Sequence, residues 1–166
     1  MATLENHVNV TLGELERNLT SFKIEDYIFS CEKRFDDQAR RIADDVISDL
    51  KIRAIFISGP TASGKTTFTH KLAKYFKNAG RPTVTLSLDD YYYFTEYAFD
   101  EYGRPDFESL EILDTKLMLE QIEALIEGKE VLVPGFDFIV KDRDPARSRK
   151  LSLEPEGILL VEGLHG

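Results

Sequence analysis

Several absences exclude whole classes of protein. The single cysteine, Cys31, rules out an internal disulfide and is typical of a reducing compartment. The first residues contain no apolar core of a signal peptide, and no apolar run approaches the length of a membrane span. The three histidines, at positions 7, 70 and 165, lack metal-ligand spacing. We therefore expect a cytoplasmic chain without a membrane partner.

The charge balance excludes a further class. The 166 residues have a formal net charge of −9, and the one basic cluster, at 141–150, is interrupted by Asp142 and Asp144. Nucleic-acid-binding proteins present a basic stripe to phosphates, so we expect no nucleic-acid partner. The cluster itself fits either a solvated loop or a loop that meets the phosphates of a small ligand.

The most specific feature present is a phosphate-binding sequence. It follows an apolar run at 54–58 and precedes a helical pattern that ends at Gly80, which is the strand–loop–helix context of a P-loop. In such loops backbone N–H groups wrap a polyphosphate, the lysine (here Lys65) reaches the β/γ-phosphates, and the hydroxyl of Thr66 holds Mg²⁺. An ordinary glycine turn is the alternative. The motif predicts ATP and Mg²⁺ as ligands of Gly59, Pro60, Thr61, Ala62, Ser63, Gly64, Lys65, Thr66 and Thr67.

Hydrophobic periodicity outlines the rest of the chain. A polar arm and a long amphipathic helix are expected in residues 1–50, followed by a P-loop core in 51–166. The fold class is α/β, a three-layer P-loop NTPase fold with a parallel sheet. The expected elements of the core are strands at 54–58, 83–88 and 157–161, a helix at 110–127, and two short strands at 131–134 and 136–140 about a turn.

Acidic and aromatic residues follow the predicted strands. Asp89 and Asp90 come after the second strand and Glu162 after the third, at the sheet edge where open α/β folds bind ligands. Carboxylates there hold Mg²⁺ or accept a proton, although an Asp pair after a strand also fits turn or cap chemistry. An aromatic-rich segment fits a stacking pocket for a planar base, or a lid packed on the core: Tyr91, Tyr92, Tyr93, Phe94, Tyr97, Phe99, Tyr102 and Phe107.

These motifs together resemble the phosphoribulokinase/uridine kinase family of P-loop kinases, with most likeness to bacterial uridine kinase-like nucleoside kinases. The resemblance runs from about Cys31 to Gly166 and implies ATP-dependent phosphoryl transfer to the 5′-hydroxyl of a nucleoside. Besides the loop, it rests on Ser-Leu-Asp-Asp-Tyr-Tyr (87–92), Asp-Phe-Glu-Ser-Leu-Glu-Ile-Leu-Asp (106–114), Val-Pro-Gly-Phe-Asp-Phe (133–138) and Leu-Val-Glu-Gly-Leu-His-Gly (160–166).

The resemblance also implies residue roles. Asp89 is the catalytic aspartate, Asp106 binds the ribose hydroxyls, and Phe136 and Phe138 lie beside the base. Phe136 stands where uridine kinases often have tyrosine, and Lys141 where many have histidine. The implied substrate contacts are Asp89, Tyr92, Asp106, Phe136, Phe138, Lys141 and Arg143, and the implied Mg²⁺ contacts are Thr66, Asp89 and Glu162.

Two alternatives to a nucleoside kinase remain at this stage. One is a kinase of another small alcohol, such as a phosphorylated sugar, pantothenate or glycerate, and the other is a nucleotide-binding fragment without turnover. Family members continue beyond the Glu-Gly-Leu-His sequence, so we expect a C-terminally incomplete core of three parallel strands with the P-loop strand at an edge. Such a core would be completed by a missing C-terminal segment or by a homo-oligomer.

Overall fold

The computed structural model describes residues 9–19, 24–93, 102–103, 106 and 109–164. Contacts divide the chain into two units, Met1–Ala39 and Arg40–Gly166. No helix in the described ranges is long and apolar enough to cross a bilayer. The elements in chain order are α1 (Leu12–Leu19), α2 (Ile24–Ser48), β1 (Ala54–Ser58), α3 (Lys65–Asn78), β2 (Thr83–Ser87), η1 (Leu88–Tyr91), η2 (Leu110–Ile112), α4 (Thr115–Ile126), β3 (Val131–Val133), β4 (Phe136–Asp137), β5 (Asp142–Arg143), η3 (Pro145–Arg147), β6 (Arg149–Leu151) and β7 (Ile158–Gly163), with η marking 3₁₀ helices.

The N-terminal helices agree with the amphipathic pattern. The hydroxyl of Thr11 accepts a hydrogen bond from the Glu14 N–H at 3.2 Å and so caps the start of α1. Helix α2 begins four residues before the apolar stripe that starts at Ile28, so the predicted long helix is confirmed. The assignment of residues 1–50 to a separate N-terminal segment stays a prediction.

The central sheet has three parallel strands in the order β1–β7–β2. The middle strand is the most apolar, and its residues from Ile158 to Val161 are fully buried, as expected for a strand covered on both faces. Helix α3 packs on all three strands. The predicted parallel sheet is confirmed, and the strand before the P-loop lies at an edge of the described sheet.

A second apolar layer covers the other face. Leu86 of β2 and Leu159 and Val161 of β7 join one buried cluster with Leu125 of α4 and Val133 of β3. The predicted helix at 110–127 is wrong at its start, because two separate caps break it. The side chain of Ser109 accepts from the Glu111 N–H to begin η2, and that of Asp114 accepts from the Leu117 N–H to begin α4.

The two strands predicted at 131–134 and 136–140 are also corrected. Strand β3 pairs antiparallel with β6, which the sequence did not indicate, and β4 pairs with β5. The second strand ends at Asp137 and not at Val140. Asp137 Oδ1 accepts hydrogen bonds from the N–H groups of Ile139 at 2.7 Å and Val140 at 3.2 Å, and this turn ends the strand.

Candidate active site

The loop between β1 and α3 has a backbone shaped for an anion. Ala62 has φ 61° and Gly64 has φ 88°, both in the left-handed region that costs little for glycine and more for alanine. Left-handed residues in a turn form the backbone nests that bind phosphates. The Ser63 N–H donates to the Pro60 carbonyl at 3.1 Å and closes the turn.

The loop ends in an uncapped helix N-terminus. Gly64 occupies the cap position of α3, and no side chain caps the helix there. The first N–H groups of an α-helix, here those of Lys65, Thr66 and Thr67, have no acceptor within the helix and carry its partial positive charge. This arrangement favours binding of a negatively charged group.

Lys65 adds a full charge at the same place. Its ammonium group donates to the carbonyl oxygens of Gly59 at 2.7 Å and Pro60 at 3.0 Å, so Nζ lies against the start of the loop. A Cβ at Gly59 would lie 2.9 Å from Ser63 Oγ and 3.5 Å from Lys65 Cγ, so both side chains lie close to the first glycine of the loop. The loop therefore combines backbone donors with a cation.

Glu162 lies inside the central strand. The predicted strand ended at Val161, but β7 continues to Gly163 because Glu162 pairs with Ser87 and Ile57, and Gly163 with Ser58. The hydroxyl of Ser87 donates to Glu162 Oε1 at 3.1 Å and orients the carboxylate. Glu162 is thus held between the carboxyl ends of β1 and β2.

The two aspartates after β2 have different surroundings. Both lie on η1 and are partly buried. Asp90 Oδ2 is 2.8 Å from Arg149 Nη2, which attaches η1 to β6 and gives Asp90 a structural partner. Tyr91 is fully buried beside it, and its hydroxyl donates to Gln121 Oε1 at 2.8 Å. Burial, together with the charge of Asp90, raises the pKa of Tyr91 above its ordinary value.

Three rings form what we call the aromatic cluster: Tyr92, Phe136 and Phe138. They meet edge to face, with centroid separations of 5.6 Å for Tyr92–Phe136, 5.8 Å for Tyr92–Phe138 and 4.9 Å for Phe136–Phe138. Phe138 is 51% exposed, whereas Tyr92 and Phe136 are 5% and 6% exposed. Phe138 is therefore the ring of this cluster best placed to stack on a ligand.

Arg143 lies among protein acceptors. Its Nη2 donates to Asp114 Oδ2 at 2.8 Å and to the Tyr91 carbonyl at 3.4 Å, and its Nε donates to the Tyr92 carbonyl at 3.2 Å. Burial tends to raise the pKa of the Asp114 carboxyl, but the hydrogen bonds from Arg143 and from the Leu117 N–H outweigh it and lower the pKa below its ordinary value. Asp114 is a partner that the sequence did not suggest.

Lys141 and Asp106 complete the predicted site residues that the structure describes. Lys141 is exposed at φ 60°, with its N–H donating to the Asp137 carbonyl at 2.6 Å. Asp106 is partly buried, and its carbonyl accepts from the Ser109 N–H at 3.4 Å. The predicted aromatic residues Phe94, Tyr97, Phe99 and Phe107, and the last two residues of the 160–166 motif, lie outside the described residues.

The oxygen ligands available suit a hard cation. Within the residues that the structure describes, no three His, Cys, Asp or Glu side chains come together as a metal-binding group. Mg²⁺ usually binds through one or two carboxylates together with substrate phosphates and waters. A carboxylate oriented by Ser87 and a hydroxyl at the start of α3 fit such a site, since both are oxygen donors near the P-loop.

A glycine-rich loop joining a parallel strand to a helix, with carboxylates at the neighbouring strand ends, defines the P-loop nucleotide-binding class of α/β proteins. Within that class, residues 54–166 match the model of the Phosphoribulokinase / Uridine kinase family. The chain belongs to this family.

Similar proteins agree with this assignment. The chain is 32% identical over 117 residues to a uridine kinase of Macrococcus caseolyticus, covering 69% of this chain and 53% of the relative. It is 27% identical over 112 residues to a uridine kinase of Halobacterium salinarum, covering 67% and 47%. A structure described as a possible uridine kinase from Bacillus stearothermophilus superposes with a TM-score of 0.60 at 18% identity, covering 81% of this chain and 71% of that one, which shows the fold. The chain spans about half the length of the curated relatives it matches.

Proposed function

We propose that this chain carries the core of an ATP-dependent kinase that transfers the γ-phosphoryl group of ATP to the 5′-hydroxyl of a nucleoside. The observation that carries the proposal is the arrangement along one edge of the sheet. The P-loop with Lys65 follows β1, and Asp89 follows β2 three residues before Tyr92 of the aromatic cluster. In this proposal, the carboxylate of Asp89 lies between a phosphate site and a site for a planar base.

Each group has a chemical role in this proposal. The loop amides and Lys65 bind and polarise the β/γ-phosphates of ATP. Asp89 accepts the proton of the attacking hydroxyl. Phe138 stacks on the base of the acceptor, with Phe136 and Tyr92 behind it, while Asp106 and Lys141 complete the acceptor side.

Thr66, Asp89 and Glu162 are the residues we assign to Mg²⁺. When bound, the ion neutralises charge on the phosphates during transfer. The acceptor is a small molecule, and a cytoplasmic location, where ATP and nucleosides are present, belongs to the same proposal.

A coupled ADP-release assay with Mg-ATP tests the proposal. Uridine, cytidine, other nucleosides and several small alcohols serve as acceptors, with the Lys65→Ala variant as the blank. We expect release that depends on one or a few nucleosides. Release with a sugar phosphate or another small alcohol alone would contradict the nucleoside assignment. Intact Mg-ATP binding without release for any acceptor would make this chain a nucleotide-binding module.

A further inference from the structure

Arg143 connects three parts of the candidate site that are distant in sequence. Its guanidinium group extends from β5 and reaches Asp114 at the start of α4 and the carbonyl groups of Tyr91 and Tyr92 at the end of η1. The tyrosine contacts span 51 and 52 residues of chain. The guanidinium also lies 5.8 Å from the centre of the Tyr93 ring.

Two of these parts are already joined by backbone contacts. The Asp114 N–H donates to the Tyr91 carbonyl at 2.9 Å, the Tyr93 N–H donates to the Ile112 carbonyl at 3.2 Å, and Tyr92 and Leu113 form a β-bridge. Strands β4 and β5 supply the third part, which carries Phe136 and Phe138. Arg143 is a charged connection between this hairpin and the segment that begins with Asp89.

The geometry requires a planar group with several donors. Arg143 and Asp114 have side chains that are 32% and 27% exposed, so their contact is partly shielded from water. A guanidinium donates in several fixed directions at once, whereas an ammonium is a point charge that cannot reproduce the fork. A lysine at this position would keep the charge and lose at least one of the three contacts.

We propose that Arg143 is a positioning residue, which fixes the β4–β5 hairpin with Phe136 and Phe138 relative to the segment of Asp89 and Tyr92, by binding Asp114 and the Tyr91 and Tyr92 carbonyls. This role differs from the substrate contact that the family resemblance implies. Its catalytic consequence rests on the proposed function, since it concerns how the acceptor base is placed relative to the attacking hydroxyl. Small displacements of a bound substrate are enough to cost about 100-fold in rate.

The kinetic test uses Arg143→Lys and Arg143→Gln, with Lys150→Gln as the matched control. Lys150 lies on β6, outside the β4–β5 hairpin, and its exposed side chain pairs with Glu130 at 2.7 Å. We expect the KM for the nucleoside to rise by about tenfold or more in both Arg143 variants, with the KM for Mg-ATP within about twofold of the wild type. Unchanged nucleoside KM in both variants, or an equal loss of affinity for both substrates, would overturn the proposal.

A second measurement does not depend on turnover. In nuclear Overhauser spectra we expect contacts between the Tyr92 and Phe138 rings to weaken in Arg143→Gln, while contacts of Leu159 and Val161 in the core stay as in the wild type. Unchanged ring contacts would overturn the positioning role. If the wild-type chain releases no ADP with any nucleoside, the proposed function fails, and the ring contacts alone decide the role of Arg143.

Discussion

The phosphate side and the acceptor side of the candidate site are built in different ways. The P-loop is one continuous stretch, 59–67, between a strand and a helix, and its main contacts join residues at most six positions apart. The aromatic cluster instead brings Tyr92 together with the β4–β5 hairpin, and Arg143 makes contacts across more than 50 residues. The first is shaped by local backbone geometry, whereas the second depends on a few long-range contacts. We therefore expect the acceptor side to be the more easily disturbed.

The largest expected effect comes from removing the cation of the loop. Lys65→Ala should lower turnover by about 10³-fold or more and weaken Mg-ATP binding, because the loop then has only amide donors. ADP release and calorimetry measure the two effects. Lys74→Ala, on the exposed side of α3, is the matched control and should behave as wild type. Turnover of Lys65→Ala within tenfold of wild type would contradict the assignment.

The next effect separates transfer from nucleotide binding. Asp89→Asn should lower turnover by about 10²–10⁴-fold, since the amide cannot accept the proton. It should weaken Mg-ATP binding much less than Lys65→Ala does, because the loop and Lys65 stay intact and the amide oxygen can still contact Mg²⁺. The neighbouring Asp90 serves as the comparison, because its carboxylate forms an ion pair with Arg149 at 2.8 Å and has a structural role. Asp90→Asn should keep turnover and lower the free energy of unfolding by up to about 1 kcal/mol. Normal turnover in Asp89→Asn would exclude it as the base.

Substitution of Gly135 tests the packing beneath the acceptor side. A Cβ at Gly135, the residue before β4, would lie 2.3 Å from Arg147 Cβ and 2.8 Å from its carbonyl carbon. Gly135→Ala should lower the free energy of unfolding by about 1–3 kcal/mol through overpacking, measured by urea denaturation. Gly13→Ala has nothing within 4 Å of the new methyl and should not destabilise the chain. Equal stability of the two variants would contradict this packing.

The smallest effect concerns the pH dependence of the Arg143–Asp114 pair. The pKa of Asp114 in the folded chain lies below its ordinary value of 3.8, so the unfolded state binds the proton more readily. The stability from the pair is fully present above that value and is lost as the pH falls through the lower, folded pKa. Asp114→Asn should remove this component from denaturation curves collected at pH 2 to 5. If the free energy of unfolding falls equally with pH in the variant and the wild type, the Arg143–Asp114 pair contributes no pH-dependent stability.

The sequence was sufficient to predict the parts of the fold with local causes. The P-loop sequence, the apolar strands at β1, β2 and β7, and helix α3 ending before Gly80 are each specified by adjacent residues, and the structure confirms them. The parallel sheet follows from the βαβ arrangement of these elements. The family assignment followed from the same continuous motifs.

What the sequence did not indicate depends on distant partners. Strand β6 reads Arg-Lys-Leu, which has no strand pattern, and forms because it pairs with β3. The sequence did not locate the breaks at Ser109 and Asp114, because the apolar spacing continues through both residues. Only the structure shows that their side chains cap separate helices. The contacts of Asp114 with Arg143 and of Asp90 with Arg149 join charges far apart in the chain, and the sequence does not specify such pairs.

The most direct test of the account follows the phosphoryl group itself. Wild-type chain is incubated with Mg-ATP and the most effective nucleoside of the panel, and the products are identified by phosphorus NMR. The account predicts ADP and a nucleoside 5′-monophosphate in equal amounts, and neither with Lys65→Ala. ADP and inorganic phosphate without any nucleoside monophosphate, or a phosphate ester at another hydroxyl, would contradict transfer from the P-loop to an acceptor held between Asp89 and Phe138.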